Sequence, residues 1–181
     1  MKKTTLYAMT ESAVLVALAV ILTYFEIEIG ALGGSINLVM VPLLVIAYRH
    51  GLPFGIASGL VFGLVKCVMS EGLGYGLPSI LLDYVLAYGA IGIAGIFKNK
   101  SKCIELSAFV GSFARYIIHV ISGVTIYMIT APTEVMGKMI GNPFVYSLLY
   151  NMVYMLPSTV LAIIVMSLLR YPLKRLKKPN K

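Results

Sequence analysis

The chain has 181 residues, of which 59% are hydrophobic and only 12% are charged. Soluble domains usually carry about 25% charged residues, so the composition excludes an ordinary soluble protein and indicates a membrane protein with a single domain, residues 1–181. The net charge of +8 does not indicate nucleic acid binding, because the basic residues collect beside apolar segments, where they attract anionic lipid.

Six apolar segments follow one another along the chain, and each is a candidate transmembrane helix. A helix needs roughly 20 apolar residues to cross the hydrocarbon core. The second segment is short and contains Pro42, which lacks a backbone N–H, so we expect a broken or tilted helix there. The sequence therefore predicts an all-α membrane protein, a bundle of six transmembrane helices. The segments are 6–25, 36–48, 52–69, 77–97, 106–130 and 143–170.

The charges between these segments alternate in sign. The connections after the first, third and fifth segments carry Glu26 and Glu28, then Glu71, then Glu134, with Lys138 as the one basic exception. Twelve of the 15 lysines and arginines lie at the two termini and in the other two connections. Because cytoplasmic loops are enriched in Lys and Arg, the pattern places both the N and the C terminus in the cytoplasm.

Three polar side chains inside the segments are candidate functional residues, because an ionisable group within a span is costly unless it is paired or hydrated. Asp83, His119 and Asn151 lie on three different segments, at depths of roughly 10 to 16 Å from the outer surface. This shared depth favours a binding pocket. A hydrogen-bonded cluster that only holds helices together would give the same pattern. Arg115, one turn before His119, favours a structural role.

Two further ionisable residues lie nearer the ends of their segments. Glu11 is close enough to the cytoplasmic end to reach the interface, and the Lys66 ammonium could extend to the outer surface. Both positions favour structural roles.

Small residues recur at intervals of four on two segments. Gly55, Gly59 and Gly63 do so on the third, and Ala13 and Ala17 on the first. Small residues at this spacing allow helices to approach closely in lipid. For the glycines we predict packing within this chain, whereas the two alanines fit either internal packing or a contact with another protein.

Tyrosines accompany the polar residues toward the outer ends of the segments: Tyr75, Tyr84, Tyr127 and Tyr146. Gly123 lies one turn after the histidine, on the same helix face. Tyrosines near a membrane interface ordinarily form an aromatic belt, but together with a carboxylate their rings can hold an organic cation. The sequence therefore suggests an outward-facing site for a small, aromatic, positively charged molecule.

Motifs for catalysis and for nucleotide binding are missing from the sequence. It contains no G-x-x-x-x-G-K-[ST], H-E-x-x-H or G-x-S-x-G. Cys67 and Cys103 lie too far apart for a paired-cysteine metal site or a disulfide framework. We predict no metal, no cofactor and no catalytic residue. Two other functions stay open: a membrane enzyme with Asp83 and His119 as an acid–base pair, and a small transporter with Asp83 as its proton site.

Five stretches resemble the thiamine-specific S-component, the substrate-binding membrane subunit of energy-coupling-factor (ECF) vitamin transporters. They occur in the family's order over nearly the whole chain, and those of the fifth and sixth segments are fairly specific to the thiamine branch. The stretches are Gly33–Ile36, Leu81–Tyr84, Arg115–Gly123, Ala131–Pro132 and Tyr146–Asn151.

The resemblance implies a six-helix S-component in the bacterial plasma membrane, a high-affinity thiamine-binding subunit rather than an enzyme. It also implies partners, namely an ECF membrane scaffold and two ATPase subunits. The Ala13–Ala17 surface matches the family's A-x-x-x-A site, which docks on the scaffold.

The resemblance also assigns roles within the site. Asp83 is the acid, with Tyr84 beside it, and His119 lies against the thiazolium. Tyr127 takes the position of a stacking ring. Tyr146 and Asn151 form hydrogen bonds with the aminopyrimidine. The chain departs from some relatives, which have tryptophan as the stacking ring and glutamate as the acid; it has no tryptophan, and tyrosine is a weaker platform for a cation.

The orientation predicted from the charges can be tested by labelling single cysteines in whole cells. Cysteines placed at Glu28, Glu71 and Glu134 should react with a membrane-impermeant reagent, and one at Lys100 should not. Protection at Glu71 together with labelling at Lys100 would reverse the predicted orientation.

Overall fold

The computed structural model describes the backbone of residues 3–29, 34–70, 76–130, 134–135 and 138–176, and the side chains within 4–29, 34–70, 76–100, 102–125 and 140–176. Helices dominate the described residues. They are α1 (Lys3–Leu22), α2 (Met40–His50), α3 (Leu52–Met69), α4 (Leu77–Phe97), α5 (Ile104–Thr130), α6 (Pro143–Leu168) and α7 (Arg170–Arg175). Two short antiparallel hairpins join β1 (Ile27–Ile29) to β2 (Gly34–Ile36) and β3 (Glu134–Val135) to β4 (Lys138–Met139).

Five of these helices, within the described part of the chain, are long and apolar enough to cross a membrane. They are α1, α3, α4, α5 and α6, and they coincide with the first, third, fourth, fifth and sixth predicted segments to within a few residues. Many of their large apolar side chains point outward, such as Val14, Val61, Phe113 and Ile164. An apolar exterior of this kind is suited to lipid, and the prediction of a multi-pass helical membrane protein is confirmed.

The predicted second span, 36–48, has a different structure. Ile36 ends strand β2, and α2 has only 11 residues, about 16 Å of helix against a hydrocarbon core of about 30 Å. Every residue of α2 is buried, so its apolar side chains pack inside the bundle. Pro42 does not break the helix, because it occupies the first turn, where backbone N–H groups have no partner within the helix.

The hairpin β1–β2 was not predicted, and a polar network fixes it to the bundle. The Glu26 carboxylate, just before β1, accepts hydrogen bonds from Lys66 Nζ of α3 at 2.5 Å and from Ser35 Oγ at 2.8 Å. Asn37 Nδ2 donates a hydrogen bond to the same carboxylate, and Asn37 Oδ1 accepts one from the backbone N–H of Val39. Lys66 is therefore paired within the protein rather than extended to the surface.

Helix α4 changes its winding along its length. It begins as an α-helix, becomes π-helical over Ile80–Leu86, returns to α-helix over Ala87–Ile91 and ends as a 3₁₀-helix over Gly92–Phe97. π-Helical segments are rare, and those that do occur are often found at functional sites. The π-helical part of α4 carries Asp83, the predicted carboxylate.

A row of glycines lets α3 pack directly on α4. A Cβ at Gly55 would approach Gly92, one at Gly59 would overlap the carbonyl of Tyr88, and one at Gly63 would overlap the carbonyl of Tyr84. The two backbones are thus in contact, as small residues permit in membrane helices. The interpretation that these glycines serve packing within the chain is confirmed.

Ion pairs join the elements at the end of the bundle opposite the β1–β2 hairpin. Glu11 of α1 pairs with Arg49 at 2.6 Å and with His50 at 2.9 Å, both at the end of α2. The backbone carbonyl of His50 accepts a hydrogen bond from Lys98 after α4. Glu11 therefore has a structural role within the bundle.

The glycine contact predicts how the fold responds to a single methyl group. Gly59→Ala should lower the melting temperature of the purified protein, because the backbones of α3 and α4 must separate; overpacking of this kind costs about 1–3 kcal/mol. Gly141→Ala is the matched control, since a Cβ at Gly141 meets nothing within 4 Å. Equal melting temperatures for the two variants would contradict the close packing of α3 on α4.

Candidate functional site

A buried chain of hydrogen bonds connects the acid on α4 to two residues on α5. Asp83 Oδ1 lies 3.0 Å from Nδ1 of His119, and Nε2 of His119 receives a hydrogen bond from Nε of Arg115 at 3.2 Å. Ser79, one turn before Asp83, donates to the second carboxylate oxygen at 2.9 Å. His119 and Arg115 lie one helical turn apart, so both reach the same side of α5.

The Asp83 carboxylate keeps some capacity to bind a further group. His119 and Ser79 donate to different oxygens and the Ser122 hydroxyl also interacts with the carboxylate, whereas a carboxylate offers about four lone-pair positions. Its side chain retains 22% exposure, compared with 8% for the His119 side chain. The carboxylate is therefore the accessible end of the chain of hydrogen bonds, and the histidine supports it from inside the bundle.

Asn151 of α6 is the third predicted polar residue, and it joins α6 to α5. Its Nδ2 donates to the backbone carbonyl of His119 at 3.1 Å and to the carbonyl of Ser147 at 2.8 Å. Its Oδ1 accepts a hydrogen bond from the hydroxyl of Tyr154. The structure thus brings Asp83, His119 and Asn151 into one cluster, as the shared depth predicted.

Three tyrosines line α6 at intervals of four residues, next to this cluster. The rings of Tyr146 and Tyr150 are parallel with centroids 5.9 Å apart, and the Tyr154 ring meets the His119 ring edge-on at 6.1 Å. The hydroxyl of Tyr150 accepts a hydrogen bond from the backbone N–H of Gly34. A Cβ at Gly34 would overlap the Tyr154 ring, so the β1–β2 hairpin packs directly against the tyrosines.

The remaining predicted residues have other surroundings. Gly123 packs on Ser147, and a side chain at this position would overlap the serine hydroxyl. Tyr84 points toward the end of α3, where its hydroxyl accepts a hydrogen bond from Ser70. The side chain of Tyr127 lies outside the described residues, and so does all of Tyr75.

Sequence reasoning missed several residues of this cluster. Ser79 and Tyr154 were not singled out, and Ser147 and Tyr150 were noted only within a longer stretch. The spacing of four residues between Tyr146, Tyr150 and Tyr154 was the available signal, because it places all three rings on one face of a helix. Within the described residues, no group of three or more His, Cys, Asp or Glu side chains could hold a metal ion.

Comparisons with known proteins identify the family. A family model described as "Thiamine transporter protein" matches residues 9–178. The chain belongs to this thiamine transporter family. The resemblance seen in the sequence is confirmed at the level of the family, and the relatives described below are named as transporters.

Individual relatives cover most of the chain. The thiamine transporter ThiT of Bacillus subtilis is 35% identical, over 97% of this chain and 96% of that protein. The thiamine transporter ThiT of Lacticaseibacillus paracasei is 32% identical, over 91% and 87%. A solved structure of ThiT from Listeria monocytogenes, at 23% identity, matches 93% of this chain and 95% of that one with a TM-score of 0.78. This last similarity concerns the fold alone: this chain has the same fold as that protein.

Proposed function

We propose that this chain is the thiamine-binding S-component of an ECF importer, and that it captures thiamine with high affinity at the outer face of the bacterial plasma membrane. Membership of the thiamine transporter family supports thiamine as the substrate. The observation that carries the proposal within the structure is the partly exposed Asp83 carboxylate, because thiamine contains a permanently positive thiazolium ring.

The proposed site consists of Asp83 and the polar and aromatic residues of α5 and α6. Asp83 binds the positive ring, and His119 positions the carboxylate. Asn151 binds the aminopyrimidine through its Oδ1, which has a second lone pair beyond the one used by Tyr154. Tyr146 forms a second hydrogen bond with the aminopyrimidine. Tyr127, of α5, stacks on the ligand.

Two other predicted residues act at the margin of the site. Tyr84 follows Asp83 on the π-helical segment. Its hydroxyl accepts a hydrogen bond from Ser70, which holds this segment of α4 against the end of α3. Gly123 allows α6 to come close enough for Asn151 to reach the ligand.

Both termini lie in the cytoplasm in this proposal, and α2 completes a bundle of six crossings together with the β1–β2 hairpin. The distribution of charge supports this orientation. Arg49, His50 and Lys98 meet at one end of the bundle, and basic residues mark the cytoplasmic side. Glu26 and the hairpin lie at the opposite end, which faces outward.

The acid should be required for binding. Asp83→Asn keeps the size of the side chain but removes its charge, and it should weaken thiamine binding by about 2 kcal/mol, roughly thirtyfold, since a hydrogen bond to a charged group contributes about 1.5–3 kcal/mol. Titration calorimetry of the purified protein measures the change. Glu105→Gln is the control, because Glu105 pairs with Arg170 and should not affect binding. Unchanged affinity in Asp83→Asn would remove this residue from the site.

Uptake requires an energy source outside this chain, because its sequence has no nucleotide-binding motif. We propose an ECF scaffold subunit and two ATPase subunits as partners. Ala13 and Ala17 are exposed on α1, whereas Ala8 and Ala19 of the same helix are buried. The exposed pair leaves a shallow groove that a scaffold helix can enter.

The docking surface predicts a separation between binding and transport. In proteoliposomes that also contain the scaffold, the ATPases and ATP, the double variant Ala13→Trp, Ala17→Trp should lose uptake but bind thiamine normally. The double variant Val160→Trp, Ile164→Trp is the control, because these residues are also exposed and four apart but lie on α6. Normal uptake by the alanine variant would place the docking surface elsewhere, and accumulation of thiamine by the chain alone would contradict the S-component function.

A further inference from the structure

His119 has a hydrogen-bond partner at each ring nitrogen, and the chemistry of the two partners determines where its proton lies. A guanidinium group can only donate, so Nε2 of His119 must accept the hydrogen bond from Arg115 Nε. A neutral imidazole carries its single hydrogen on the other nitrogen, so Nδ1 donates to Asp83. The geometry thus selects an uncharged imidazole with its hydrogen directed at the carboxylate.

Arg115 is also held in place by an aromatic ring of α4. Its side chain is buried, and the guanidinium carbon lies 4.2 Å from the centroid of the Tyr88 ring. Tyr88 in turn packs edge-on against Phe62 at 4.7 Å, and its backbone carbonyl contacts Gly59. The close packing of α3 on α4 therefore fixes the platform on which Arg115 rests.

We propose that Arg115 is a positioning residue for the cation site. By occupying Nε2 it keeps His119 from taking a second proton, and so keeps the imidazole uncharged. An imidazolium hydrogen-bonded to Asp83 would form a direct ion pair with the carboxylate and so compete with an incoming cation, whereas the imidazole ring separates the Arg115 charge from the carboxylate. Arg115 thereby leaves the charge of Asp83 available to the ligand. This inference rests on the proposed function, in which the ligand is the cation thiamine.

Two substitutions separate the hydrogen bond from the other properties of Arg115. Glutamine has its amide nitrogen the same number of bonds from Cα as Arg Nε, and methionine has a methyl group there. Both variants lose the positive charge and the stacking on Tyr88, and only Arg115→Gln keeps a donor for Nε2. Arg115→Gln should therefore bind thiamine about tenfold more tightly than Arg115→Met, the scale of an unsatisfied buried group. Equal affinities would overturn the proposal.

A spectroscopic measurement tests the same inference without a ligand. The chain has two histidines, so protein labelled with ¹⁵N-histidine gives two pairs of ring-nitrogen signals, one pair for each imidazole, which His50→Gln assigns. In the protein that retains Arg115, Nδ1 of His119 should carry the proton, and Nε2 should be unprotonated and accept a hydrogen bond. The Nε2 signal should move in Arg115→Met and stay close to its position in Arg115→Gln.

The outcomes distinguish this inference from the proposed function. A proton on Nε2 of His119 in the protein with intact Arg115 would overturn the inference, whether or not the arginine variants fold. Failure of the intact protein to bind thiamine would overturn the proposed function and leave the spectroscopic result standing. Ser112→Ala is the control on α5, since its buried hydroxyl makes no hydrogen bond within the described part of the chain, and it should change neither the spectrum nor the affinity.

Discussion

The hydrogen bond between Asp83 and His119 is the contact on which the rest of the site depends. A carboxylate inside an apolar bundle is costly unless it is paired or hydrogen-bonded, and this bond supplies a partner from a neighbouring helix. Through His119 the contact extends to Arg115 on the same helix and, through the histidine's backbone carbonyl, to Asn151 on α6. Three helices are thus fixed relative to one carboxylate, so the polar residues that are expensive to bury also determine the helix arrangement around the site.

The backbone geometry of α4 makes this contact possible. Its π-helical segment carries Asp83, and its next turn packs against the glycines of α3. Because the backbones of α3 and α4 touch, Tyr88 has little freedom, and its ring supports Arg115. The glycine contacts between α3 and α4 therefore help to position the Arg115 guanidinium, although they do not touch it. A glycine has a similar effect in the β1–β2 hairpin. Because Gly34 has no side chain, β2 lies directly on the tyrosines of α6 and limits their movement.

The long helices could be predicted from the sequence because a membrane span requires a long apolar segment, and the charged connections define its ends. The short length and the burial of α2 could not be predicted from composition, since a short helix buried in protein is as apolar as one that faces lipid. The polar residues Asp83, His119 and Asn151 could be grouped because depth follows from position in a helix. Their partners could not: Asp83 and Tyr84 are neighbours in sequence, yet one contacts α5 and the other contacts the end of α3.

The hydrogen-bond chain also bears on the two other functions that the sequence left open. An acid–base pair and a proton-coupled transporter both need a histidine or a carboxylate that gains and loses a proton during each cycle. Here Nε2 of His119 is occupied by a donor that cannot accept a proton in return, so the imidazole cannot relay a proton through Nε2. A fixed negative charge is a disadvantage for proton transfer, but it is what a protein needs to hold an organic cation, and for this reason we infer that the site serves binding.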